Sequence, residues 1–310
     1  MTSLLIKNNL GDECMSITFR KYTTEPLFTE DYIKVRNFLI RINLKELTNP
    51  HFTWARWEWM TTHAGLDRTA ISQIGLWEEN GEIVGLVTFD CSLGEGFFCV
   101  DEKHNTLKEE MIVYASKNLA KDGKFYAHIG DSDREFQRIA TKNGFRPTQN
   151  RGVIAAIDID DNISYSLPQG YGIVSMADGW DFHKYHECMW RGFNHEGEPP
   201  QTEGDINCRI EMLSSPTIIP ELVLAVTSPD GKYVAHCGMW YRPGDDYAYV
   251  EPVATVPEYR KMGLGKAAVL EAVKRCGKLG AKQAIVDSSQ QFYFNIGFYP
   301  AYTETWWEAK

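Results

Sequence analysis

Gly263 and Gly265 stand two residues apart, with Arg260, Lys261 and Lys266 around them. Residues without bulk leave backbone N–H groups bare, and the cations add positive charge, a combination suited to a diphosphate. The stretch before them (Tyr247, Tyr249, Val250, Val253, Ala254, Val256) is apolar by alternation and then in a run, so it reads as a buried strand. Pro257 ends that strand because it has no N–H to give a ladder. The stretch after them carries Ala267, Ala268, Leu270, Ala272, Val273, Cys276 and Leu279, mostly at helical spacing. The group is therefore a strand, a glycine loop and a helix, and the helix dipole adds partial positive charge at the loop.

Two kinds of protein use such a loop. Gly263-x-Gly265-x-x-Ala268 fits a dinucleotide fingerprint, with Asp287 about 20 residues on, after a second apolar stretch. Against it, Pro257 and three charged side chains separate Val256 from Gly263, and little chain follows Asp287 to finish a doubly wound sheet. Taken as Arg260-x-x-Gly263-x-Gly265 after Val256-Pro257-Glu258-Tyr259, the loop resembles the acyl-CoA pyrophosphate loop of the GNAT superfamily of N-acetyltransferases. Phe292-Tyr293-Phe294-Asn295-Ile296-Gly297-Phe298 resembles the closing Tyr-x-x-x-Gly-Phe segment of the same superfamily. The two motifs stand in the superfamily's order and near its spacing.

The resemblance implies an α/β fold with a mixed sheet, and transfer of acetyl from acetyl-CoA to a primary amine by direct attack. It implies that Arg260 and the N–H groups of Met262, Gly263, Leu264, Gly265 and Lys266 cradle the diphosphate, with Lys261 and Lys266 adding charge at the rim. Val253, Ala254, Thr255 and Val256 would lie beside the pantetheine arm, where the superfamily's sheet splays. Tyr293 takes the place of the acid that protonates the leaving thiolate, and Glu251 the place of the base that accepts the amine proton. Ser288 stands where an Asn often helps hold pantetheine. His186, His195 and His236 are alternative bases. Trp190, Phe193, Asn194, His195, Glu196, Glu198, Trp240, Tyr241, Trp306 and Trp307 mark the acceptor region, whose rings and carboxylates suit a small-molecule or peptide amine with an apolar body. A non-catalytic acyl-CoA sensor and a dinucleotide-dependent oxidoreductase are the rival readings.

The rest of the chain repeats one plan. Asn80-Gly81-Glu82-Ile83-Val84-Gly85 parallels Asp230-Gly231-Lys232-Tyr233-Val234-Ala235, each a hairpin signature. Ala140-Thr141-Lys142-Asn143-Gly144-Phe145-Arg146-Pro147 parallels Tyr293 to Pro300. Two tandem copies of one fold are expected, residues 1–163 and 164–310, joined by the polar stretch from Asp160 to Gly170. The copies differ where chemistry would occur. Val100-Asp101-Glu102-Lys103-His104-Asn105-Thr106 replaces the glycine loop and puts carboxylates where an anion would dock, and Ala140 replaces Tyr293. The first copy is thus expected to be a degenerate structural or acceptor-site partner.

Composition narrows the classes. The 310 residues have room for two domains, and no apolar run is long enough to cross a bilayer. Leu4-Leu5-Ile6 is too short for a signal peptide. The seven scattered cysteines include no Cys-x-x-Cys pair, which reads as reduced thiols without a metal. A net charge of -10 argues against nucleic acid and mildly for cationic acceptors. A cytoplasmic monomer or homodimer is expected.

Overall fold

The computed structural model describes residues 16–23, 28–44 and 47–309; Leu4-Leu5-Ile6 lies outside them. In chain order the elements are β1 (Thr18–Lys21), α1 (Glu30–Ile42), α2 (Trp54–Thr62), β2 (Gly75–Glu79), β3 (Glu82–Thr88), β4 (Glu95–Val100) and α3 (Lys108–Asn118). β5 (Tyr126–Gly130), α4 (Arg134–Lys142), β6 (Phe145–Asp158), β7 (Gly172–Ser175), α5 (Phe182–Gly192), α6 (Glu203–Met212) and β8 (Val223–Thr227) follow. The chain closes with β9 (Tyr233–Trp240), β10 (Tyr247–Thr255), α7 (Leu264–Lys278), β11 (Gln283–Asp287), α8 (Gln291–Asn295) and β12 (Tyr299–Ala309).

These elements form two compact units, Met1–Val153 with Tyr302–Lys310, and Ile154–Ala301. The sequence reading divides the chain between 163 and 164 and keeps 302–310 in the second part; the units are cut elsewhere at both ends. In unit 1 the strand order is β1-β2-β3-β4-β5-β12, with β12 antiparallel to β5 from Glu304–Gly130 to Glu308–Tyr126. In unit 2 it is β6-β11-β10-β9-β8-β7, with Ile154 to Asp158 of β6 paired antiparallel to β11. Each unit is thus completed by a strand whose sequence lies beyond the boundary drawn from local pattern.

Caps and turns set the ends of the elements. Asn80 and Gly81 carry φ of 52° and 83°, the left-handed pair that a two-residue hairpin between β2 and β3 requires. Thr29 and Thr53 accept from the first-turn amides of α1 and α2, and Thr202 with Asp205 forms a capping box for α6.

The core of unit 2 has three layers. Every residue of β9 is buried. One sheet face packs α7 (Leu264, Ala268, Ala272) against Leu224, Cys237, Ala248 and Val250, and the other packs Tyr185, Cys188 and Met189 of α5 against Val223, Ala225 and Ala254. A strand covered on both faces is largely apolar, which is why this stretch lacks simple alternation, with the buried His236 as the exception. Among the described residues no helix is long and apolar enough to cross a membrane, and no group of three His, Cys, Asp or Glu residues is placed to hold a metal. The six described cysteines are free thiols.

Candidate active site

The site begins with two strands that separate. β10 pairs parallel with β11 at Tyr247, Ala248 and Tyr249. Beyond that point β10 stays with β9 as far as Thr255, through a register shift between Val250 and Val253, while β11 stays with β6. The gap between them opens into a cleft of 820 Å³, whose walls include Val253, Ala254 and Thr255 on one side and Tyr293 on the other.

The mouth of the cleft is the start of α7. Gly263 is the N-cap at φ 81°, and no side chain caps the helix. A Cβ at Gly263 would meet nothing within 4 Å, so the glycine serves the backbone angle. Gly265 serves close approach instead: a Cβ there would lie 2.6 Å from Thr255 Oγ1. The first-turn amides of a 15-residue helix are thereby turned to the cleft without a competing side chain, with the positive end of its dipole behind them. Lys261, in the left-handed region at φ 65°, and Lys266 line the same mouth.

Arg260 also lines the cleft, but its guanidinium already has protein partners. Nε donates to Thr255 O at 3.0 Å, and Nη2 donates to Gly192 O and to Asn194 Oδ1, both at 2.9 Å. It therefore ties the end of β10 to the end of α5. The sequence motif shows the arginine but none of these acceptors.

Tyr293 is 6% exposed, on the short helix α8. Its carbonyl accepts from Ile296 N at 3.1 Å and Phe298 N at 3.0 Å, which fixes the turn, and its ring packs edge-on against Phe292 and Phe298. Burial raises the phenol's pKa, and the nearby Glu251 carboxylate raises it further. Glu251 is half-buried at the register shift of β10; Tyr249 donates to its Oε2 at 3.2 Å, and Trp240 Nε1 donates to its backbone carbonyl at 3.0 Å.

Glu251 and several other expected site residues lie outside the cleft lining. Val256 is buried in the core against α5, its N–H on Val234 O at 3.0 Å. Met262 is 40% exposed beside the loop. Ser288 accepts from Gln290 N at 3.2 Å in a local turn. His236 is fully buried among Tyr185 and Trp180, and burial drives it down to about 3. His186 accepts from Arg209 Nε at 3.1 Å, and His195 packs on Trp190. Trp306 and Trp307 belong to unit 1, where Trp306 packs on His128. Conversely, Gly192, Tyr259, Gln290 and Phe292 line the cleft without having been expected there. Phe292 could have been found as the neighbour of Tyr293; nothing local marks Gly192, whose Cβ would lie 2.8 Å from that of Ala254.

In unit 1, β4 and β5 also pair in parallel at two positions, Glu95 and Gly96 with Tyr126 and Ala127. There Asp101 occupies the turn after β4, accepting from Lys103 N and pairing with Arg41. Ala140 is buried on α4.

An α/β/α unit with a split parallel strand pair, an uncapped helix start and a buried phenol across the gap is the architecture of an acyl-CoA-binding transferase. Residues 182–299 match the model of the Acetyltransferase (GNAT) family, whose members transfer acyl groups from acyl-CoA. The fold is similar to that of a tandem GNAT protein from the clavulanic acid biosynthesis pathway, solved without AcCoA (13% identity, 94% of this chain and 98% of that one, TM-score 0.61). It is also similar to a GCN5-related N-acetyltransferase from Sphaerobacter thermophilus (15% identity, 94% and 95%, TM-score 0.58) and to L-PGS from Bacillus licheniformis (11% identity, 89% and 90%, TM-score 0.52). No curated protein matches the chain by sequence. The family match displaces the dinucleotide reading of Gly263-x-Gly265-x-x-Ala268.

Proposed function

We propose that unit 2 moves the acetyl group of acetyl-CoA to the primary amine of a small molecule or peptide. The observation that carries this reading is the uncapped start of α7 opening onto the cleft that Tyr293 lines. The amides of Gly263 to Lys266 hold the diphosphate, and Lys261 and Lys266 supply charge at the rim. The edge of β10 from Val253 to Thr255, freed from β11, offers backbone groups to the pantetheine amides.

The amine nitrogen attacks the thioester carbon directly, so that a C–N bond forms as the C–S bond breaks. Glu251 receives the amine's proton, directly or through water, and Tyr293 gives a proton to the departing thiolate. Burial keeps the Tyr293 phenol protonated well above neutral pH, and the same dry setting makes a thiolate beside it more basic. The residues present need no metal for this chemistry. Unit 1, with Asp101 and Ala140 at the corresponding places, serves as a structural partner.

Calorimetry with CoA and acetyl-CoA tests the donor, and thiol release across a panel of amines tests turnover. Tyr293→Phe should lower kcat by about 10²-fold, the lower end of general acid catalysis, with CoA affinity within about threefold of wild type. A protein that binds CoA yet releases no thiol with any amine would be a sensor instead.

A further inference from the structure

Unit 1 carries a groove of 550 Å³, lined by Arg134, Gln137, Arg138, Thr141 and Lys142 of α4 and by Trp307 of β12. Arg134, Arg138 and Lys142 recur every fourth residue, so their side chains form one row along the helix. All three are exposed. Trp307 is 7% exposed, the most buried part of the lining, and its Nε1 has no acceptor among the described residues. The groove thus combines a cationic row with an apolar base, to which the methylene stems of the arginines add.

Helix stability does not require this row. Arg134 is the first residue of α4, where a cation opposes the helix dipole, and like charges four residues apart repel. Among the described residues, Lys142 alone of the three pairs with a carboxylate, Glu109 of α3 at 2.8 Å. Arg134 Nη1 donates to the uncharged Gln137 Oε1 at 3.1 Å, and Arg138 has no partner among the described residues. No carboxylate is among the lining residues. Nearby acids are engaged elsewhere: Asp131 accepts from Thr305 Oγ1 at 2.6 Å, Asp133 pairs with Lys108 at 2.6 Å, and Glu308 pairs with Arg146 at 2.9 Å. Glu135 lies about 100° round the helix from Arg134, off the groove.

We propose that this groove binds a small organic oxyanion, a phosphate or carboxylate carried on a flat apolar body. The guanidinium groups of Arg134 and Arg138 take the anionic end, since each offers a planar fork of donors that matches paired oxygens. The body rests on the exposed part of Trp307 and on the arginine stems, and the groove has the volume of a small-molecule site. Neither Asp101 nor Ala140, which stand in unit 1 where unit 2 has its glycine loop and Tyr293, lines the groove. The site therefore gives unit 1 a ligand of its own, and it stands whether or not unit 2 transfers acetyl groups.

Titration of the full chain with phenyl phosphate and with benzoate tests it and tells the two oxyanions apart. The readout is the indole N–H signal in proton–nitrogen correlation spectra that Trp307→Phe removes. At least one of the two anions should move that signal saturably. Arg134→Gln with Arg138→Gln should weaken that binding at least about tenfold, the loss expected from one charge-assisted contact. Both arginines are exposed and neither holds a carboxylate, so this variant strands no buried charge and should fold as wild type does. Inorganic phosphate and phenol, each with only half of the recognised group, should bind more weakly than phenyl phosphate. No saturable shift with either anion up to about 10 mM overturns the site. So does a double variant that binds like wild type, inorganic phosphate as tight as phenyl phosphate, or binding that leaves the Trp307 signal unmoved.

Discussion

Unit 1 carries a buried charge cluster whose pH dependence is open to measurement. His128 on β5 meets Glu304 of β12 through Nδ1 at 2.6 Å and Glu95 of β4 through Nε2 at 3.2 Å, and stacks on Phe97 at 4.3 Å. Burial alone would lower its pKa, but the two carboxylates outweigh burial and raise it to about 9. From an unfolded value near 6.5 this corresponds to about 3 kcal/mol. The folded value lies above the unfolded one, so the stabilisation is complete below pH 6.5 and is lost as pH rises through 9. His51 acts in the opposite sense. Burial lowers its pKa although Glu304 lies 3.3 Å away, so its contribution is present above about 6.5 and lost below it. Unit 1 should therefore be most stable near pH 6.5, where the His51 penalty has gone and the His128 contribution has only begun to fall. His128→Gln leaves Glu304 buried beside His51 with no cation, and should cost about 3 kcal/mol at pH 7 but little at pH 10. Urea unfolding followed by tryptophan fluorescence reads this, because Trp54, Trp57, Trp59, Trp77, Trp306 and Trp307 all lie in unit 1. A difference between variant and wild type that stays constant from pH 7 to pH 10 would refute the reasoning, since packing loss alone does not titrate.

Two further outcomes follow from the geometry of unit 2. Gly265→Ala puts a Cβ 2.6 Å from Thr255 Oγ1 and must shift the first turn of α7; it should cost about 1–3 kcal/mol of stability by overpacking. CoA affinity by calorimetry should fall with it, and adding Thr255→Ala should recover most of both losses; no recovery would show that the clash is not the cause. A fragment 154–301 keeps Ile154 to Asp158 on β11, whereas 164–310 bares that edge and carries β12 without its partner β5. The first should be monodisperse by light scattering and the second should aggregate; the reverse would contradict the assignment of strands to units.

What was legible in the sequence is what short-range chemistry decides. Asn80-Gly81 dictates a hairpin wherever the chain goes, and two glycines before a helical stretch dictate bare amides, so the hairpin and the mouth of the cleft are read directly. The position of Tyr293 four residues before Gly297 places it on a turn that must follow β11. Thr29 before α1, and Thr202 with Asp205 before α6, are likewise caps that the local sequence carries.

What stayed hidden depends on contacts between residues far apart in the chain. Trp306 and Trp307 alternate correctly for a strand, but a strand's pattern does not name its partner, and β5 is more than 170 residues earlier in the pairing of Glu304 with Gly130. Nor does Arg260-x-x-Gly263-x-Gly265 say which oxygens the arginine meets. Gly192 and Asn194 are acceptors because α5 ends where β10 ends, and a Cβ at Gly192 would not clear Ala254. The motif thus fixes the glycine loop at the cleft mouth locally, while the wall opposite is fixed by packing of α5 on β10. That division is why the sequence carries a motif for one wall of the cleft and none for the other, whose side chains are set by tertiary contacts.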